Sequence, residues 1–486
     1  MAWRLIIEAG NNVQVLSARR SVGCIVCLII VVLIVPSSFA GAANTETHAS
    51  ASDVSGMITP GDNLAPWAAS QTSLSRLTSL ASTDQALSGN PAAVNVRAGL
   101  GLFSSLTGLD KLGVFVGGLW VGNGDYLFAG GIGRRSWNFN SLLVLGGQVD
   151  SNLAIGLPGG TFGVSYLRFN GQQSNAAAGS VIGYDGLTQA PPLDRDELYL
   201  LWWRQSLFGD KLIVRVGKSV PTYDFNNVIK PVPVRGESVS IPAVTGLIYT
   251  PIFVNPTILG NLPGYYNSAY GVTTTFAPIK QLYFSYGVYD GNLARGVQTG
   301  LNTTPDFTGY YFQIGEAGYD WLLGAQQMPG NIGIGGWGQT GALSAGSSTS
   351  GVREDGVAGL YAFGAQRLWF RHPFIDNSGI SAYWQFGIND SKTMLADKYF
   401  GFGFTGFGLV PERPADSVGT GLAWSWLNHP PASGRRNHEV MLAIYYQLHV
   451  FAGVFFQPTV TYLPDPGVST HVPGTAALTL QTTVLF

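Results

Sequence analysis

Two neighbouring segments of this chain place acids, bases and aromatic rings at alternating positions. Glu197, Tyr199, Trp203 and Gln205 share one phase of the first, and Lys211 and Arg215 share one phase of the second, across a short turn at Gly209 and Asp210. Successive side chains of an extended chain point to opposite faces, so this spacing gathers the polar groups on one face of a sheet. Guanidinium donors beside tyrosine and tryptophan rings suit sugars, the donors binding hydroxyls and the rings stacking on the apolar ring face. Arg204 and Lys218 fall on the opposite phase near strand ends, which requires a bulge or side chains that snorkel to an interface. A lone charge here is ordinary water-facing lining; the cluster is what points to binding.

Other chemistries find little support. Gly401, Gly403 and Gly406, and Gly333, Gly335 and Gly338, fit a Gly-x-Gly-x-x-Gly pattern, but neither set opens an amphipathic helix as a dinucleotide fingerprint must. Among 65 glycines such matches arise by chance, and no cofactor is implied. Zinc-protease, P-loop and nucleophile-elbow motifs are missing, and the six histidines show no metal-ligand spacing. His438 beside Glu439 reads as a polar strand end.

The elements that position the cluster follow from composition and patterning. Charged residues make up 11% of the 486 residues and aromatics 12%, too little charge for a large soluble surface and apt for a membrane sheet. Residues 1–42 read as an export signal, with Arg4, Arg19 and Arg20, an apolar run from Val22 to Val35, and Ala40-Gly41-Ala42 at the cleavage site. That run is about 14 residues, short of the roughly 20 a membrane helix needs. Cleavage after Ala42 removes both cysteines, Cys24 and Cys27, and leaves 23 basic and 27 acidic residues. Such a balance argues against nucleic acid as a partner.

No later stretch is apolar for long enough to cross as a helix, so membrane insertion implies strands, and in hydrocarbon strands must close into a barrel. The last strand shows the pattern best: Leu478, Leu480, Val484 and Phe486 share one face, and Thr479, Gln481 and Thr483 the other. Ile380, Trp384 and Phe386 likewise alternate with Ser381, Tyr383 and Gln385. The expectation is an all-β, transmembrane antiparallel β-barrel of about 16 strands, centred near residues 116, 143, 165, 201, 215, 272, 286, 314, 335, 362, 384, 403, 423, 444, 458 and 481. It occupies 106–486, after an irregular, flexible periplasmic lead-in over 43–105 that is rich in Ala, Ser, Thr and Asn. The proline-rich segment 221–265 is too long for a turn and is expected to fold inward and narrow the pore.

At these residues the chain resembles the carbohydrate-selective porins of the OprB type. The hairpin from Glu197 to Ser206 and from Gly209 to Lys218 carries the signature, followed in order by Asp224-Phe225-Asn226, Gly287 to Asn292, Gly315 to Tyr319, and Gly408 to Asp416 leading into Gly419 to Trp424. The segment 226–265 is longer than the family pattern, and the lead-in lacks its Gly-Asp-Trp-Gly-Gly stretch. The resemblance implies a bacterial outer-membrane barrel with inward loops, passing neutral sugars such as glucose by passive diffusion. Its recurrent polar positions map onto Glu197, Arg215, Lys218, Asp224, Asp290, Asn292, Glu316, Arg413 and Asp416. With Tyr199 and Trp203 from the cluster, these are the pore-lining candidates.

The partners expected are small carbohydrate solutes, outer-membrane lipid and, through Phe486, the barrel-assembly machinery. A barrel enzyme acting on lipid and a general non-selective pore are the alternatives. An energy-coupled transporter would need a folded plug domain, and an adhesin large folded loops.

Overall fold

The computed structural model describes residues 109–485 apart from 134, 188–193, 228–231, 235–236, 240–245, 280, 345–352, 374–377, 429–433 and 452. The expected signal, the lead-in over 43–105 and Phe486 lie outside the described residues.

The strands are β1 (Val114–Ala129), β2 (Trp137–Asp150), β3 (Gly160–Asn170), β4 (Arg195–Leu207), β5 (Leu212–Ser219), β6 (Val232–Val234), β7 (Glu237–Val239), β8 (Ala269–Ile279) and β9 (Leu282–Asp290). They continue as β10 (Tyr311–Leu323), β11 (Met328–Ser344), β12 (Arg353–Phe370), β13 (Gly379–Asn389), β14 (Ala396–Phe407), β15 (Ser417–Leu427), β16 (His438–Phe451), β17 (Val454–Leu463) and β18 (Thr475–Leu485). Sixteen of these form one closed antiparallel barrel, while β6 and β7 make a separate small hairpin. Closure comes from β1 pairing with β18, Trp120 facing Val484 and Tyr126 facing Leu478. Every expected strand centre falls inside one of the sixteen barrel strands. A closed sheet leaves no unpaired edge, the condition for strands to survive in hydrocarbon.

Alternation sorts the wall into two faces. On β13, Ser381, Tyr383 and Gln385 are fully buried while Phe386 is exposed, and Val272, Ile334, Phe400, Ile444 and Val460 extend the same exposed apolar face around the barrel. A soluble protein rarely shows so wide an apolar band; a lipid-facing wall requires it. On β18 the inner face is Ala477, Thr479, Gln481 and Thr483, as the alternation of the sequence predicts.

The two ends of the barrel differ. Strand β1 begins and β18 ends where the connections are short, as at residues 208–211, 280–281, 324–327 and 452–453. The opposite end carries the long connections 171–194, 220–268 and 291–310. In outer-membrane barrels short turns face the periplasm and long loops the exterior.

The described parts of the β5–β8 loop contact the inner wall of the barrel. They run from β5 to the far wall. There the Tyr399 hydroxyl of β14 donates to the carbonyls of Pro251 (2.5 Å) and Ile252 (3.0 Å), and Gln457 Nε2 of β17 donates to Gly246 O at 2.7 Å. On β13, Asn389 Nδ2 donates to Thr257 O at 3.1 Å. Such partners are what a loop needs to keep its backbone polar groups satisfied inside a barrel.

Candidate functional site

The hairpin β4–β5 places the sequence cluster, with one correction. Pairing with β3 shifts register at Ser165 and Tyr166, so Tyr199 is an extra residue in β4. One extra residue inverts the alternation beyond it. Glu197 and Tyr199 therefore face inward as expected, whereas Trp203, paired with exposed Phe162 and Val216, faces outward. Gln205 shares the outward phase of Trp203. The same bulge turns Arg204 inward, where it pairs across the strands with Thr161 and Arg215 and is 1% exposed. Lys218 keeps the phase of its partners Leu201 and Tyr270, opposite to Arg215. It is fully buried because the β9–β10 loop folds over it: Nζ donates to Leu198 O (2.6 Å), Gly300 O (2.6 Å) and Asn302 O (2.7 Å). Neither Arg204 nor Lys218 snorkels.

The remaining candidates are occupied by protein groups. Arg215 forms a buried ion pair with Asp224, the first acid of the inward loop. Glu316 on β10 accepts from Asn226 N at 2.6 Å, Tyr283 OH at 2.7 Å and Tyr361 OH at 3.0 Å. Asp290 accepts from Asn292 N at 2.9 Å, and the Asn292 side chain is held by Asp306 O and by Thr308 Oγ1, the latter at 2.5 Å. Tyr199 bonds the Tyr223 hydroxyl and donates to Tyr265 O at 3.0 Å. A Cβ on Gly300 would lie 2.7 Å from Glu197 Oε2, so glycine is what lets the loop sit on that carboxylate. Arg215, Glu316, Asp290, Asn292 and Tyr199 tie inward loops to the wall, whereas the Glu197 carboxylate lies 3.9 Å from Arg195 Nε and has no hydrogen-bond partner among the described residues.

Arg413 and Asp416 stand apart, at the short-turn end. They form a two-point pair, Nε to Oδ2 at 2.8 Å and Nη2 to Oδ1 at 3.0 Å, which fastens the β14–β15 turn to β16 through Tyr446 OH (2.5 Å) and His449 N (2.8 Å).

Three groups were missed by the sequence reading. Arg195 donates to Tyr266 O (2.8 Å) and Asn267 Oδ1 (3.2 Å). Asp185, in the β3–β4 loop, accepts from Asn123 Nδ2 at 2.8 Å and Asn140 Nδ2 at 2.7 Å, beside Asp125. Glu439 on β16 accepts from Ser180 Oγ (2.6 Å), Val181 N (2.9 Å), Ile182 N (3.2 Å) and Gly467 N (2.7 Å), gathering two loops on one carboxylate. The signal for Asn123 and Asp125 was their shared phase on β1; a loop partner as distant as Asp185 leaves no local trace.

A closed wall of sixteen antiparallel strands, apolar outside and engaged inside by its own loops, defines a porin-type barrel of the outer membrane. The model of the carbohydrate-selective porin, OprB family matches residues 140–486, and the chain belongs to that family. Among solved structures, the high-pH structure of Pseudomonas putida OprB is similar at 17% identity and a TM-score of 0.65, covering 78% of this chain and 95% of that one. The low-pH structure of the same protein is similar at 14% identity and a TM-score of 0.50, covering 78% and 94%. At such identities the likeness is one of fold. Among curated proteins no relative matches the chain.

Proposed function

We propose that the protein lets small neutral carbohydrates, monosaccharides such as glucose among them, diffuse passively through a lumen narrowed by the 221–265 loop. The observation that carries this reading is the course of that loop from β5 to β13, β14 and β17, with its acid Asp224 neutralised by Arg215. A constriction whose charges are paired offers hydrogen bonds without a strong net field, and conduction needs binding weak enough for exit. Tyr199, Arg215, Lys218, Asp224, Asp290, Asn292 and Glu316 act here as anchors that hold the loops in place, and so set the width of the opening, which Glu197 lines beside Arg195 and Gly300. Arg413 and Asp416 do the same for a periplasmic turn.

Family and fold point to a channel rather than an enzyme. The Ser378 hydroxyl does lie 3.3 Å from His372 Nδ1, but Ser378 is 5% exposed, out of reach of a lipid chain. Liposome swelling with glucose, maltose and a salt control tests the proposal. Faster entry of glucose than of ions is expected, and equal permeation would replace the carbohydrate reading with a general pore.

A further inference from the structure

Three polar side chains on one small area of the inner wall have no partner in the fold. Arg204 on β4 is 1% exposed, and none of its guanidinium nitrogens meets a hydrogen-bond acceptor among the described residues. The hydroxyl of Thr161 on β3, fully buried, and the indole Nε1 of Trp202, 2% exposed, are unpartnered in the same way.

Register brings the three together. Thr161 lies directly opposite Arg204, and Gly163, the next inward position of β3, lies opposite Trp202. Directly opposed residues stand about 4.5–5.5 Å apart at Cβ, and residues two apart on a strand share a face at roughly 7 Å. The three side chains therefore rise from one patch, two residues wide and two long. A Cβ on Gly163 would lie 2.3 Å from Trp202 Cε2, the carbon that bears Nε1. Glycine there lets the N–H edge of the indole lean over β3, the strand that carries Thr161.

The acids nearby are committed elsewhere. Asp224 is taken by Arg215, the cross-strand neighbour of Arg204. Asp210 on the adjoining turn is engaged by Ser206. Asp150, opposite Thr161 on β2, caps the short helix Ser151–Ile155 through Asn152 N (2.8 Å) and Leu153 N (3.2 Å). The two neighbouring arginines thus keep a positive charge beyond the one that Asp224 offsets. A buried guanidinium with no anion beside it is among the costliest groups an interior can hold. Its companions here are a hydroxyl and an indole N–H, and neither brings a negative charge. A planar fork flanked by two further donors is the complement of a carboxylate, whose two oxygens match the fork and accept from the others as well.

We propose that Arg204, Thr161 and Trp202 form a carboxylate-binding site on the inner wall, beside the Arg215–Asp224 pair. Burial this deep admits a carboxylate end rather than a pyranose ring. Free small acids and monosaccharide acids share that chemistry, the latter leaving their hydroxyls in the lumen. The site adds an acidic class of solute to the neutral one and stands whether or not neutral sugars diffuse past it.

The indole N–H of Trp202 reports on the site directly. The full chain, isotope-labelled at the tryptophan indole nitrogens and assembled in lipid nanodiscs, gives a Trp202 resonance identified as the one that Trp202→Phe removes. Acetate and gluconate are titrated in turn, with glucose as the solute that has no carboxylate. The resonance should move with the acids and stay in place with glucose. A tighter response to gluconate assigns the site to sugar acids, and a tighter response to acetate assigns it to free small acids. Arg204→Met should raise the half-saturating concentration about 10-fold or more, the loss expected of a charge-assisted two-point contact. Thr161→Val, which keeps the shape and removes only the hydroxyl, should raise it about 3-fold. Heat-modifiable migration verifies that each variant is a closed barrel, and if Arg204→Met does not close, Thr161→Val decides alone. A Trp202 resonance that ignores both acids, that moves equally with glucose, or that responds unchanged in the variants overturns the proposal.

Discussion

The inner wall from β1 to β4 is built on opposite principles in its two halves. Near the long loops, carboxylates meet several donors where wall and loop join: Asp125 on β1 accepts from Ser174 Oγ (3.0 Å) and Thr479 Oγ1 (2.6 Å), and Asp185 of the β3–β4 loop accepts from Asn123 and Asn140 of the wall. Near the short turns the wall is leucine, valine and tryptophan, and the guanidinium of Arg204 meets no described acceptor. Both halves are deeply buried, one against loops that enter from outside. The comparison teaches that the inner face of this barrel is an interior packed with its own chain. Residues that look like solute-binding groups in the sequence are consumed in holding that chain.

The largest expected effect separates the halves. Asp224→Ala leaves Arg215 charged and buried beside Arg204, and breaking a buried pair from one side costs about 3–5 kcal/mol. The urea midpoint of the barrel refolded in vesicles should fall accordingly. Arg204→Met should cost less, because no described hydrogen bond is lost with it. An unchanged midpoint for Asp224→Ala, or a greater loss for Arg204→Met, would break the contrast.

Next in size is Glu439→Ala, which strips one acceptor from four donors in two loops. A buried donor left unsatisfied costs about 1–3 kcal/mol, and loops that swing to water recover part of it, so a net loss of about 2–3 kcal/mol is expected. Limited proteolysis of intact barrels should cut 171–187 and 464–474 faster. If those loops stay protected, the carboxylate is not what holds them.

Much of the barrel was legible because its rule is local. Alternation on β13, β16, β17 and β18 has period 2 and little to interrupt it, so the inward residues Tyr383, Gln385, Gln457 and Gln481 could be read from sequence. Trp203 was misread for a physical reason: the extra residue Tyr199 inverts the phase, and nothing around it in β4 marks a bulge. The site was less legible. Acids and bases stood out as polar residues in strands, but whether their partner would be a sugar or a loop depends on chain returning from far away. Arg215 with Asp224 spans one strand end, whereas Glu439 takes donors from residues more than 250 positions upstream.

A smaller effect tests how the hairpin sets the two phases. Gly217 has φ +130°, and a Cβ there would lie 2.2 Å from Leu201 O. Gly217→Ala forces backbone to shift between Arg215 on the inner wall and Lys218 under the β9–β10 loop, and strain of this type costs about 1–3 kcal/mol. The loss should appear together with faster proteolysis near Gly300 and Asn302, whose carbonyls Lys218 holds. Lost stability without loop release would mean that the Lys218 anchor does not depend on that turn of the strand.

The smallest effect decides the corrected face. Trp202 and Trp203 are adjacent, yet Trp202 is 2% exposed on the inner wall and Trp203 pairs with the lipid-facing Phe162 and Val216. Trp203→Phe keeps an aromatic on the outer wall and should cost less than about 1 kcal/mol, since lipid fills the space that the smaller ring leaves over Gly160. It should nonetheless remove a component of the fluorescence that brominated lipid quenches. Trp202→Phe should leave that component intact and cost more, because its ring fills space against Gly163, where a Cβ would sit 2.2 Å from it. The reverse pattern would return Trp203 to the lumen and remove the bulge at Tyr199 from the account of why Arg204 points inward.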